Sequence, residues 1–144
     1  MAQEILRSHF AHLYPITTRW HDNDVYGHVN NVVYYSFFDT SANRFLIEEC
    51  GLRIETSPVI AYVVASQCEY YSPVAYPGNI EVGFRVKKLG NRSVSYEFGV
   101  FSQKEQACAL GAFTHVFVER ESGRSVSIPE EIKSQLLKAI VPIV

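Results

Sequence analysis

The chain has 144 residues, of which 47% are hydrophobic and 19% are charged, and its formal net charge at pH 7 is −2. This is the length of one domain, and the apolar content excludes an intrinsically disordered protein. The balanced charge disfavours a protein that tracks nucleic-acid phosphates, and no apolar run reaches the ~20 residues that a membrane helix needs. We therefore expect one cytoplasmic domain over residues 1–144, with neither a nucleic-acid nor a membrane partner.

The first half of the chain predicts a strand, a polar loop and one long helix. Residues 14–20 have the β-branched and aromatic content of a strand. Residues 21–28 are polar and contain a glycine, which is typical of a loop. From residue 31 to residue 50 the apolar residues recur with a helical period. Asn30 or Asn31 can cap the start of this helix, and Gly51 stands where a helix commonly ends.

The predicted long helix is amphipathic. Its apolar stripe contains large aromatic side chains with two small residues between them, a pattern that allows a curved sheet to approach closely. The opposite face is polar, with Ser36, Asp39, Thr40 and Asn43. The residues of the apolar stripe are Tyr34, Phe37, Phe38, Ser41, Ala42, Phe45 and Leu46.

The second half of the chain predicts strands and a short final helix. Apolar runs or alternation cover residues 59–71, 80–86, 94–100 and 107–118, and Pro129 precedes a helix over 130–139. The order is one strand, a long helix, and four strands in a meander. An α+β domain follows, in which an antiparallel sheet of about five strands wraps around one central helix.

Polar groups converge only in the loop before the long helix. Asp22 and Asp24 are two of the three aspartates in the chain. A carboxylate there can serve as a nucleophile or general base, and the N–H groups of a helix start can stabilise a negative oxygen. The alternative is that both aspartates only stabilise the loop through backbone hydrogen bonds, and Asp22 is the stronger candidate for that purely structural role.

From Asp22 to Asn31 the sequence reads DNDVYGHVNN, and VVYY follows. It resembles the hotdog-fold thioesterases, specifically the 4-hydroxybenzoyl-CoA thioesterase-like branch of the acyl-CoA thioesterases, in which a D-x-D-x-x-G-H-V-x-N pattern opens a long helix. The resemblance covers residues 15–119, because the order of elements is also the hotdog order. It implies a thioester hydrolase that acts on a fatty or aromatic acyl-CoA and needs no cofactor and no metal.

The resemblance also implies roles for individual residues. Asp24 becomes the catalytic carboxylate, as nucleophile or as general base, and the backbone N–H of Asn31 polarises the thioester carbonyl. Gly27 and His28 shape the turn between them. The expected substrate-binding residues are Asn30, Tyr34, Tyr35 and Phe38.

The remaining implications concern CoA and assembly. Lys87, Lys88 and Arg92, near a predicted hairpin, are the expected contacts of the CoA phosphates. The family's site lies at a dimer interface, so a homodimer or homotetramer is expected. Two alternatives remain open at this point: hydrolysis of an acyl group carried by acyl carrier protein (ACP), and a hotdog module that binds acyl-CoA without catalysis.

Overall fold

A computed structural model describes residues 4–141, and the ends of the expected domain, residues 1–3 and 142–144, lie outside the described residues. Within the described residues, two α-helices and five strands form the fold. The bounds are β1 His12–Thr17, α1 Asn31–Glu48, β2 Val59–Tyr70, β3 Asn79–Leu89, β4 Ser93–Phe101, β5 Ala109–Glu119 and α2 Glu130–Lys138. The predicted α+β class is confirmed. Neither helix in residues 4–141 is long and apolar enough to cross a membrane.

The five strands form one antiparallel sheet in the order β1-β3-β4-β5-β2. The meander predicted for the last four strands is therefore correct only for β3, β4 and β5. After β1 and α1 the chain continues into β2 at the opposite edge, where β2 pairs with β5 instead of β3. Alternating apolar residues specify that a segment is a strand but do not specify its neighbour, which is why the pattern could not place β2.

Helix α1 packs on one face of this sheet, and its buried residues are the seven of the predicted stripe. The Asn30 side chain caps the helix by accepting a hydrogen bond from the Val32 N–H. At the other end Gly51 adopts φ 73°, a left-handed conformation that glycine takes without strain. The helix ends two residues earlier than the periodicity predicts.

Aromatic rings fill the space between α1 and the sheet. The Phe38 ring stacks on Phe98 with centroids 5.0 Å apart, and Phe45 stacks on Phe84 at 4.6 Å. A Cβ on Gly111 of β5 would lie 2.3 Å from the Phe38 ring, so only glycine allows this approach. The helix can therefore lie close to the strands.

The segment before β1 packs on the opposite face of the sheet. Phe10 is buried, and its ring would lie 2.6 Å from a Cβ on Gly83 and 2.8 Å from a Cβ on Gly99. The Arg7 guanidinium extends over the Phe101 ring and pairs with Glu81, with Nε and Oε1 2.8 Å apart. The two glycines lie side by side in the sheet and leave the space in which the Phe10 ring packs. This packing holds the segment against the sheet.

A histidine and a tyrosine form a buried polar pair in the core. A hydrogen bond of 3.0 Å joins the Tyr96 hydroxyl and Nδ1 of His115, and both residues are almost fully buried. Burial raises the pKa of Tyr96, so its hydroxyl remains protonated. Burial lowers the pKa of His115 to about 4, so the folded protein holds this imidazole neutral at pH 7.

We predict that this neutral histidine makes the fold less stable in acid. Below its ordinary pKa of 6.5, His115 takes up a proton in the unfolded state but not in the folded state until the pH approaches 4. The free energy of unfolding should therefore fall by up to about 3 kcal/mol between these pH values. Denaturant unfolding at several pH values measures the slope. His115→Gln should remove the part of this pH dependence that comes from the histidine. If the free energy of unfolding falls equally in both proteins as the pH is lowered, the assignment is wrong.

Candidate active site

Asp22 anchors the loop that leads into α1. Its carboxylate is buried and accepts hydrogen bonds from the Arg19 backbone N–H at 2.8 Å and from Arg19 Nη2 at 2.9 Å. Its carbonyl oxygen accepts the N–H of Asn30 at 2.9 Å. A buried carboxylate that is fully paired in this way holds the helix start in place, so Asp22 has the structural role that the sequence favoured.

Asp24, two residues further on, has a more open environment. It is half-buried, and its Oδ1 accepts the Tyr26 N–H at 2.8 Å. Gly27, at φ 81°, donates its N–H to the Asp24 carbonyl and completes the turn. The loop-stabilising alternative is thus true of one carboxylate oxygen. The other, Oδ2, accepts no hydrogen bond from any group in residues 4–141.

The first turn of α1 leaves a backbone donor unused. The Val32 N–H is bonded to the Asn30 side chain, and the Val33 N–H to the Asn30 carbonyl. The N–H of Asn31, which precedes them, donates to no acceptor within residues 4–141. An unpaired N–H at the positive end of a helix can bind an oxygen that carries negative charge.

Asp24 and Asn31 lie on the walls of the same cleft. The cleft has a volume of about 480 Å³ and opens between the start of α1 and the segment that follows β2. It contains four of the residues that the sequence nominated, namely Asp24, His28, Asn31 and Tyr34. Its full lining is Asp24, Tyr26, His28, Val29, Asn31, Tyr34, Tyr70, Tyr71, Ser72 and Pro73.

Tyr70 is a cleft residue that sequence reasoning missed. Its hydroxyl donates to the carbonyl oxygen of Asn31 over 3.1 Å, and its ring meets the Tyr34 ring edge to face, with centroids 5.0 Å apart. Burial raises the pKa of Tyr34 to about 12 and also raises that of Tyr70, so both phenols remain neutral. Two adjacent tyrosines before Ser72 marked the end of a strand, but no local signal placed that end beside α1.

The other nominated residues lie outside this cleft. Gly27 and Asn30 form the turn and the helix cap, Tyr35 is half-buried, and Phe38 is fully buried beneath α1. Only Phe38 has no surface at all that a ligand could touch in this conformation.

The basic residues near the hairpin are likewise separate from the cleft. Lys87 and Lys88 line a different depression on the sheet, and Lys87 lies 3.5 Å from Glu97 Oε2. Arg92 donates to the Ser125 carbonyl at 3.0 Å. In residues 4–141 no three His, Cys, Asp or Glu side chains converge as metal ligands would.

The cleft combines the groups that acyl transfer requires. A carboxylate oxygen without a partner can attack a carbonyl carbon or take a proton from water. A backbone donor can bind the oxygen on which charge then develops. The aromatic walls formed by Tyr34 and Tyr70 suit an apolar group attached to that carbonyl.

Comparison with known proteins places the chain in a family. The sequence model of the Thioesterase-like superfamily matches residues 18–136. The uncharacterized protein YsmA of Bacillus subtilis (strain 168) is 24% identical over 131 residues, which are 91% of this chain and 88% of that protein.

Solved structures agree on the fold. The crystal structure of the PA5185 protein from Pseudomonas aeruginosa strain PAO1 shares 53% identity, with a TM-score of 0.94 over 96% of this chain and 98% of that one. The DHNA-CoA thioesterase from Staphylococcus aureus has a TM-score of 0.76, with 87% of this chain and 89% of that one covered. Its 18% identity shows a shared fold alone.

We predict that the Tyr70 hydroxyl stabilises the start of α1. Tyr70→Phe keeps the ring against Tyr34 but removes the hydrogen bond to Asn31, so the free energy of unfolding should fall by about 0.5–1.5 kcal/mol. Thermal and denaturant unfolding measure the loss. Tyr26→Phe is the matched control, because the hydroxyl of this exposed tyrosine makes no hydrogen bond within residues 4–141 and its removal should cost nothing. An equal effect in both variants would mean that the Asn31 contact contributes no stability.

Proposed function

The chain belongs to the thioesterase-like superfamily, and we propose that it hydrolyses the thioester of an acyl-CoA to a free acid and CoA. The observation that supports this most strongly is the shared cleft of Asp24 and Asn31. Asp24 has a carboxylate oxygen that accepts no hydrogen bond within residues 4–141, and Asn31, at the helix start, has an N–H that is unpaired within the same residues. These are the minimal groups for attack on a carbonyl.

In the proposed reaction Asp24 acts in one of two ways. As general base it takes a proton from water, and the resulting hydroxide adds to the thioester carbon. As nucleophile its Oδ2 adds to that carbon, and a mixed anhydride forms that water later hydrolyses. In both cases the C–S bond breaks, the electron pair leaves with sulfur, and the acid is released.

The Asn31 N–H has the same task in both routes. The carbonyl oxygen becomes negative when the carbon is attacked, and a preorganised donor stabilises it by about 2.7–4 kcal/mol. The Asn30 side chain holds the Val32 N–H, and the Tyr70 hydroxyl holds the Asn31 carbonyl oxygen. These two contacts set the direction of the Asn31 N–H before the substrate binds. The thiolate of CoA is a good leaving group, which removes the need for a strong general acid.

A second copy of the chain is part of the proposal. Strand β2 is an edge strand, and Tyr62, Val63 and Val64 on it are 49%, 43% and 60% exposed. A long apolar edge is a surface on which another strand pairs. The cleft adjoins the end of this strand at Tyr70, so a partner paired along β2 would lie beside the cleft.

The assignment of the CoA phosphates to Lys87, Lys88 and Arg92 stays a prediction. Lys87 and Lys88 lie outside the cleft of their own chain, and Arg92 is bonded to the loop after β5. A phosphate contact from them would have to reach CoA beyond the cleft lining.

We predict that Asp24→Asn lowers kcat by about 10²- to 10⁴-fold, because the amide can neither attack nor accept a proton. Its oxygen can still accept the Tyr26 N–H, so the loop should remain intact. Release of free thiol from a panel of acyl-CoAs measures the rate, and circular dichroism checks the fold. Asp39→Asn is the matched control, since Asp39 is exposed on the polar side of α1 and should leave the rate unchanged.

The same assay separates the alternatives. If Asp24→Asn retains the wild-type rate, the mechanism is wrong. Turnover of acyl-ACP without useful turnover of acyl-CoA would identify a carrier-protein thioesterase. Binding of acyl-CoA without release of thiol by the wild type would identify a non-catalytic module.

We predict that Val64→Lys weakens self-association through β2 by tenfold or more, on the order of 1.4 kcal/mol, because it places a charge on the apolar edge. Sedimentation over a range of concentrations measures the dissociation constant. Ile54→Lys is the control, because Ile54 is similarly exposed but lies in the loop before β2. A monomeric wild type, or equal weakening by both variants, would contradict association through this strand.

A further inference from the structure

The cleft of Asp24 and Asn31 ends against the apolar stripe of α1. Tyr34 is the stripe residue that lines the cleft, and only 3% of it is exposed. Phe38 follows it on the same helix face, one turn deeper, because residues four apart lie above one another. An acyl chain that extended under α1 would meet Tyr34 first and Phe38 next.

Phe38 closes this route. The spacing to a Cβ at Gly111, 2.3 Å, shows that the ring lies directly on the backbone of β5. The ring is stacked on Phe98 with an interplanar angle of 21°, and Phe113 meets it edge-on at 6.0 Å. With 0% of Phe38 exposed, helix, ring and strands leave no space for a methylene chain.

The core behind Phe38 is closed as well. Phe45 lies two turns further along α1 and stacks on Phe84 of β3 at 4.6 Å, with Ser41 and Ala42 between the two aromatic layers. Movement of Phe38 alone would therefore open only a short extension, not a tunnel along the helix.

We propose that this enzyme takes short acyl groups, shorter than the dodecanoyl group, and that Phe38 sets the limit. This proposal rests on the proposed thioesterase function. The acyl group occupies the cleft with its end against Tyr34, and Phe38 lies one turn beyond Tyr34 on the same helix face. Phe38 thus determines specificity without contacting the reacting atoms.

Chain length provides the direct test with the wild-type protein. As long as the cleft has room, each methylene added to the acyl chain should raise kcat/KM about fourfold, because the methylene moves from water into the cleft. Beyond the limit the gain should stop, and dodecanoyl-CoA should be hydrolysed at least about tenfold less efficiently than the best short substrate. Efficient hydrolysis of dodecanoyl- and palmitoyl-CoA, comparable with that of the short substrates, would overturn the proposal.

Two pairs of variants assign the limit to Phe38. Phe38→Ala, and the milder Phe38→Leu, should move the preferred acyl length upward by about two to four carbons. Phe45→Ala and Phe45→Leu remove the same groups from an equally buried residue two turns away, and they should leave the preference unchanged. A shift in both pairs, or in neither, would overturn the role of Phe38.

The outcomes distinguish this proposal from the function on which it rests. Hydrolysis that depends on Asp24 but is indifferent to chain length would leave the thioesterase assignment standing and remove only the size limit. Absence of thiol release from every acyl-CoA would remove both. If Phe38→Ala does not fold, the milder Phe38→Leu decides the role of Phe38, and the chain-length profile of the wild type decides the size limit.

Discussion

The contact of the Phe38 ring with the backbone of Gly111 determines how closely α1 approaches the sheet. Any side chain at Gly111 would separate the two layers, because its first carbon would already lie 2.3 Å from the ring. At this distance from the sheet, the first turn of α1 lies beside the end of β2. The Tyr70 hydroxyl can then reach the Asn31 carbonyl, and the walls of the cleft come together. One glycine in the middle of a strand thus supports a site at the end of a helix.

The two aspartates of the loop differ in role, because Asp22 anchors the loop and Asp24 is the candidate catalytic carboxylate. Asp22 is buried, paired with Arg19, and bonded through its carbonyl to Asn30. The charge of the Asp22 carboxylate is fully paired with hydrogen-bond donors. The carboxylate therefore holds the loop in place and is not available for other contacts. Asp24 lines the cleft, and within residues 4–141 only one of its carboxylate oxygens is held by a hydrogen bond. Because the anchor is only two residues away, the carboxylate of Asp24 is positioned without being consumed by its own loop.

The cleft is closed below and open at its side. Stacked rings close it beneath α1, and the neutral tyrosines Tyr34 of α1 and Tyr70 of β2 line its walls. The open side adjoins the edge strand β2, which carries the exposed Tyr62, Val63 and Val64 and pairs with no further strand within residues 4–141. The thioesterase proposal, the second copy and the short acyl group all follow from this one geometry, in which the reacting groups are fixed and the space beside them is small.

Much of this structure could be predicted from the sequence, because it depends on local interactions. The helical period specified the seven buried residues of α1, the Asn30 cap and Gly51 marked its ends, and the polar loop with Asp22 and Asp24 located the candidate site. Each of these signals acts within a few residues. The edge position of β2, the Tyr70 contact with Asn31 and the packing of Phe10 on Gly83 depend on segments that lie tens of residues apart. Such contacts form only when the whole sheet is assembled, so tertiary structure alone decided them.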